Sequence, residues 1–179
     1  MKLLFKITDY DITEQSFKEL PNYNLRKVAR GIIIREDGKI AILYKSNKNE
    51  YKLVGGGIED NEEPKDAFIR EVLEETGCEI EITDELGKVE EYRNKKEFKQ
   101  ISYVYIGKVI KDTKKINYTE KEINEGAKLL WLEPNIALEY MNNCYNNLKA
   151  SEYSDIYSTK FVVLRDKRIL EYYIKHFAK

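Results

Sequence analysis

Glu71, Glu74 and Glu75 stand three and four residues apart and follow a run of three glycines, Gly55, Gly56 and Gly57. On a helix, that spacing stacks the three carboxylates on one arc of the surface. Like charges so placed cost a helix roughly 0.2–0.5 kcal/mol per pair. Between Glu59 and Glu75 eight acids meet only two bases, for a net charge of −6. Divalent cations are the natural compensation. Oxygen-only ligands without a nearby Cys or His pair favour Mg²⁺ or Mn²⁺ over zinc. Glycine suits a place where backbone must pass close to phosphate, because any Cβ would intrude. A cation held there would neutralise phosphate oxygens and acidify a bound water, and a carboxylate beside it could accept the proton. A solvated acidic face is the plainer reading of the acids alone. The glycines, Arg70 and the spacing favour the chemistry.

Gly56, Glu62, Arg70-Glu71-Val72, Glu74-Glu75 and Gly77, separated by five, seven, one and one residues, closely resemble the Nudix box. That family's motif ends on an aliphatic residue where this chain has Cys78. Cysteine behaves as a small buried hydrophobe in most settings, so the departure is tolerable. The resemblance implies an α+β fold, a mixed β-sheet sandwiched between α-helices, with the box as a loop–helix–loop. It implies Mg²⁺-dependent cleavage of a pyrophosphate bond in a nucleoside diphosphate derivative. A nucleoside triphosphate, as in MutT-like members, is the first expectation. Dinucleoside polyphosphates and nucleotide sugars come next. A nucleotide-binding sensor without turnover is the reading from another class, and the intact carboxylates count against it. By position, Glu74 and Glu75 resemble metal ligands, and Glu71 a residue that binds metal or helps activate water. Arg70 resembles a residue that orients the glutamates, Gly56 one close to metal or phosphate, and Glu62 a brace. Glu125, six residues before Trp131, stands where MutT-like members carry a further metal carboxylate, with Glu122 as the alternative.

The elements around the box must present it. Pro64 suits a first helical position, Asp66 the positive end of the helix dipole, and Gly77 a left-handed stop. A helix is therefore expected over 64–76, with Phe68, Ile69, Val72 and Leu73 toward the core. Strands are expected over 2–12, 28–35, 39–44, 51–54, 79–93 with a break near Asp84-Glu85, 98–110 and 127–132. Glu36-Asp37-Gly38 reads as a hairpin turn between the second and third of these. Residues 111–125 read as a charged loop, 134–142 as a short helix, and 161–177 as a terminal helix. The resemblance covers about 26–142 of a single expected domain, 1–179, and is silent on both extensions.

Four residues outside the box are candidates to bind substrate. Arg93, Gln100 and Tyr103 lie near the tip of the long 79–110 hairpin, and Arg30 lies on a strand before the box. Such groups can hold phosphates or stack on a base. The only histidine, His176, reads as a surface or packing residue, and the late tyrosines as packing for the terminal helix. A net charge of −1 leaves no electrostatic footprint for a nucleic-acid polymer. No apolar run approaches a membrane span. The two cysteines, Cys78 and Cys144, form no metal-binding pair. The expectation is a cytoplasmic protein, monomer or homodimer, acting on a small nucleotide.

Overall fold

The structure, a computed structural model, describes residues 1–178. Seven strands form one mixed sheet in the order β1-β5-β6-β2-β4-β3-β7. They are β1 Leu3–Ile7, β2 Asn24–Ile34, β3 Ile40–Lys45, β4 Glu50–Gly57, β5 Cys78–Arg93, β6 Phe98–Asp112 and β7 Ala127–Leu132. β1 runs parallel to β5 and β2 parallel to β6, while the remaining neighbours are antiparallel. The helices are α1 Asp9–Thr13, α2 Pro64–Thr76, α3 Glu120–Asn124, α4 Pro134–Tyr145 and α5 Ile156–His176.

Alternation along the strands sorts side chains to two faces. Ala29, Ile33 and Val54 meet Phe68 and Val72 of α2 on one face. Ile32, Ile42 and Leu53 meet Met141 of α4 and Val163, Ile169 and Leu170 of α5 on the other. The sheet is thus sandwiched between helices, as the α+β expectation has it.

Several local expectations change. The strand expected over 2–12 stops at Ile7, because Asp11 folds back and accepts the Thr8 N–H at 2.9 Å, closing the short helix α1. The Glu36-Asp37-Gly38 turn forms, with Gly38 at φ 81°, but β2 and β3 meet only at Ile34 and Ile40. Beyond that point β4 takes the place between them. The break near Asp84-Glu85 becomes register shifts within one continuous strand, β5. The 111–125 loop contains α3, capped by Thr119, whose hydroxyl accepts the Glu122 N–H.

α2 starts on Pro64 and ends on Gly77 in the left-handed conformation, φ 69°, as its end signals require. Its buried residues are Ala67, Phe68, Val72, Glu75 and Thr76, whereas Ile69 and Leu73 are exposed. The face turned to the sheet is rotated from the purely apolar one expected. Burying Phe68 and Val72 contributes about 1.5–3 kcal/mol each. That rotation also carries Glu75 inward, and the site depends on it.

Candidate active site

The glycine end of β4 lies beside Ala29 and Arg30 of β2, in the register Ala29–Gly56 and Arg30–Gly55. Glu71 projects from α2 against this strand. A Cβ at Gly56 would fall 2.3 Å from Glu71 Oε2, so only glycine leaves room for the carboxylate. Arg70 holds the arrangement from behind. Its Nε and Nη2 donate to Glu62 at 2.9 and 3.0 Å, Nη2 also to the Gly57 carbonyl at 2.9 Å, and Nη1 to Glu71 at 2.8 Å. Glu62 in turn accepts the Glu59 N–H at 2.9 Å and ties down the loop. Hydrogen bonds donated to Glu62 raise the Arg70 pKa, so the brace stays charged.

Glu75 is 3% exposed and accepts the Gly55 N–H at 2.7 Å and Lys52 Nζ at 3.1 Å. Burial pushes its carboxyl up to about 7, against the pull of Lys52, and the charge of Glu122 beside it pushes the same way. Burial also raises Glu71, with Arg70 opposing. Glu74 is turned outward, its side chain 42% exposed and 3.5 Å from Arg70 Nη1. Among the described residues no three acidic, His or Cys side chains converge closely enough to enclose a metal ion. Lys52 supplies the positive charge at Glu75.

Carboxylates and glycines border a cleft of about 490 Å³. Nine cations line it, Arg26, Arg30, Lys45, Lys48, Lys52, Arg93, Lys96, Lys121 and Arg165, against six carboxylates. That excess of positive charge suits a polyanion. Phe98 and Tyr153 are its aromatic residues.

Arg30, Arg93 and Gln100 all line this cleft, and Tyr103 does not. Tyr103 belongs to the opposite face of the sheet, packed with the α2 cluster, because it is an odd number of residues from Gln100. Glu125 and Glu122 both line the cleft, but in different settings. Glu125 is 1% exposed and paired with Lys45 at 2.6 Å, with Lys48 3.7 Å away and Ser151 donating at 3.1 Å. Glu122 stands beside Glu75 on α3. His176 is exposed against the Tyr172 ring, 4.4 Å between centroids.

The terminal helix was outside the motif, yet it forms part of the wall. Tyr153, Ser154 and Asp155, just ahead of α5, and Ser158, Val162 and Arg165 within it, line the cleft. Arg165 and Asp166, fully buried, bond at 2.6 Å. Two adjacent charges inside the apolar spacing Phe161, Leu164, Ile169 were the available signal. A surface-only helix has no reason to place them there.

The NUDIX domain family model matches residues 25–150. This chain belongs to the Nudix family. A MutT-like protein of Streptomyces ambofaciens is 30% identical over 115 residues, 64% of this chain and 68% of the relative. Diphosphoinositol polyphosphate phosphohydrolase 3-beta of Bos taurus is 28% identical over 116 residues, 65% of this chain and 66% of the relative. The Nudix chain thus spans about two thirds of the length of these relatives. A NUDIX hydrolase from Nitrosomonas europaea superposes with a TM-score of 0.56 at 14% identity, covering 81% of this chain and 89% of that one. A MutT protein from Methanosarcina mazei Go1 gives 0.51 at 24%, covering 84% and 97%. Both share the Nudix fold. The chain is a Nudix pyrophosphohydrolase by family and by box. No helix among the described residues is long and apolar enough to cross a membrane.

Proposed function

We propose that this Nudix enzyme hydrolyses a pyrophosphate bond in a nucleoside triphosphate, as a MutT-like member, with Mg²⁺ as cofactor. The carrying observation is the contact between Glu71 and the Cβ-less Gly56, locked by Arg70, at the mouth of a cationic cleft. A hard divalent cation fits the donor set, which is all oxygen and includes two carboxylates whose burial makes charge costly. Glu71, Glu74 and Glu75 would hold it, with the Gly56 backbone at its edge. Glu122 is the better placed fourth carboxylate, since Glu125 already carries Lys45. When bound, the cation neutralises phosphate oxygens and lowers the pKa of coordinated water.

The protein's own groups do the rest. Glu71, half-buried and oriented by Arg70, accepts the proton of the attacking water at its carboxylate. Lys45, Lys48 and Lys52 orient the phosphate chain and offset its charge. The aromatic rings of Phe98 and Tyr153 offer the surfaces on which a base could stack.

A second reading has one observation in its favour. Nine lining cations with two aromatics also fit a densely phosphorylated small molecule, the kind of substrate that the Bos taurus relative's name describes. The test is a release screen with Mg²⁺ over nucleoside triphosphates, oxidised nucleotides, dinucleoside polyphosphates, nucleotide sugars and diphosphorylated inositol phosphates. Glu74→Gln is run beside wild type. Loss of a metal ligand is expected to lower the rate at least ~100-fold. Near-normal rates in Glu74→Gln would remove Glu74 from the metal set. Tight binding of one compound without turnover would replace hydrolysis by sensing.

A further inference from the structure

Four arginines gather at the α5 end of the cleft. Arg26 and Arg30 come from β2, Arg93 ends β5, and Arg165 comes from α5. Behind them lie two fully buried carboxylates, Glu91 and Asp166. Arg165 donates to Glu91 and to Asp166, both at 2.6 Å. Arg93 donates to Glu91 at 2.5 and 3.1 Å. Arg30 reaches Asp166 at 3.3 Å, and Asp166 also accepts the Leu53 N–H at 2.9 Å. Both carboxylates are therefore saturated by the cluster.

The arginines are not. Four guanidinium groups share two directly bonded carboxylates, and Arg26 is in none of these ion pairs. Arg30 is 5% exposed, lines the cleft, and its Nε has no hydrogen-bond partner among the described residues. Buried donors are almost always partnered, so an orphan in a cleft wall marks a place for something else. Arg26 forms no ion pair with a described residue, and its Nη2 lies 3.5 Å from where a Gly57 Cβ would be. It therefore spans from the arginine cluster to the glycine strand. Burial and then repulsion from Arg165 push Arg30 down to about 10, and Arg165 and Arg93 stand near enough to Arg26 to repel it. Each of these groups gains from an added anion.

We infer that Arg26, Arg30, Arg93 and Arg165 form a second anion subsite, which takes a phosphoryl group of the substrate remote from the anhydride that is cleaved. Arg26 supplies the open donors, and Arg30 adds a buried Nε that has no partner among the described residues. Arg165 and Arg93, already engaged, supply field and position. The subsite exists only because α5, beyond the matched residues 25–150, closes that end of the cleft. The enzyme accordingly prefers substrates charged at both ends over those whose far end is a neutral nucleoside. As a statement about substrate, this rests on the hydrolase reading above; as a binding site, it can be measured without turnover.

The first experiment is calorimetric titration of inorganic pyrophosphate into the protein in EDTA. Wild type is expected to bind, and Arg26→Gln to bind about 10-fold or more weakly, the loss of a charge-assisted contact. Arg26 is exposed, so its variant should keep the wild-type melting temperature. Arg30→Lys, which keeps the charge and removes Nε, should weaken binding too. Glu71→Gln, which removes a negative charge from the cleft, should not weaken it. Unchanged binding in both arginine variants, or no binding by wild type, overturns the subsite. The second experiment compares KM for a nucleoside 5′-triphosphate with and without a 3′-phosphate. The added phosphate should lower KM about 10-fold in wild type and give no advantage in Arg26→Gln, with kcat unchanged. An equal KM for the pair in wild type overturns the assignment of the subsite to substrate. Arg26-dependent pyrophosphate binding with no turnover of any compound sinks the hydrolase reading and supports the subsite.

Discussion

Replacing Gly56 by alanine tests the site with one carbon atom. The new Cβ would fall 2.3 Å from Glu71 Oε2, 2.4 Å from Cδ and 2.5 Å from Oε1. Ordinary contact begins near 3.4 Å, so the carboxylate must withdraw by about 1 Å. Gly56 is not among the residues with positive φ, so alanine strains no backbone there. The end of one glutamate side chain can move cheaply. The fold should keep its melting temperature within about 3 °C, a cost below about 1 kcal/mol. Catalysis should suffer far more, because a reacting group misplaced by about 1 Å can lose about 100-fold in rate, or about 2.7 kcal/mol. The assay is kcat/KM at saturating Mg²⁺, with a thermal melt of the same sample. Gly55→Ala is the control. There φ is 135° and the Cβ would strike Ala29 O at 2.3 Å and Arg30 Cα at 2.5 Å, so the fold itself should weaken. Turnover by Gly56→Ala within threefold of wild type would refute the idea that Glu71 must occupy its observed place. A melting loss matching that of Gly55→Ala would shift the cause to the backbone.

Arg165→Met should destabilise by about 3–5 kcal/mol, because it strands Glu91 and Asp166 without their main partner, and a denaturant titration reads this directly. Burial works against charge on Glu91, but Arg165 and Arg93 overcome it and hold the carboxyl below the usual range; for Asp166 burial is overcome by Arg165 and Arg30. Folded pKa values so depressed give stability that is complete above the unfolded values, about 4, and is lost as pH falls through the folded ones. Melting temperature should therefore drop below about pH 4, and a flat profile to pH 2 would contradict the network's role. Cys78→Val should leave activity within about twofold, since Cys78 is 2% exposed and its thiol contacts only the Thr76 carbonyl among hydrogen-bond partners. A large loss with an unchanged melt would give the thiol a function.

The box helix was legible because its signals are local. Pro64, Gly77 and the carboxylate spacing all act within a few residues, and the Arg70 brace to Glu62 joins two positions of the motif itself. The rotation of α2 was not legible. Ile69 and Leu73 are as apolar as Phe68 and Val72, and only the sheet's position decides which pair is covered. Tyr103 was misplaced for a related reason. Nearness to Gln100 along the hairpin says nothing about face, whereas parity along β6 does. Sequence could not show that Glu125 is paired with Lys45, which lies 80 residues away from it in the chain. The arginine cluster draws on β2, β5 and α5, so nothing short of the fold could assemble it, and the adjacent charges Arg165-Asp166 in an apolar helical pattern went unread.

Protein synthesis proceeds from the amino to the carboxyl end, and α5 leaves the ribosome after the sheet and the other described helices. Until residues 165 and 166 emerge, Arg30 and Glu91 sit in a sheet that can close around them without the guanidinium and carboxylate that neutralise them. The sheet's own strands are complete by Leu132, so a nascent chain can be nearly fully paired and still carry unmatched buried charge. The same helix then clasps the beginning of the chain, through Arg168 to Asp11 at 2.8 Å and Tyr157 to Asp9. Emergence of α5 thus sets the moment at which the arginine end of the cleft takes form. A stalled or prematurely terminated chain would hold every residue of the box and still lack one end of the cleft.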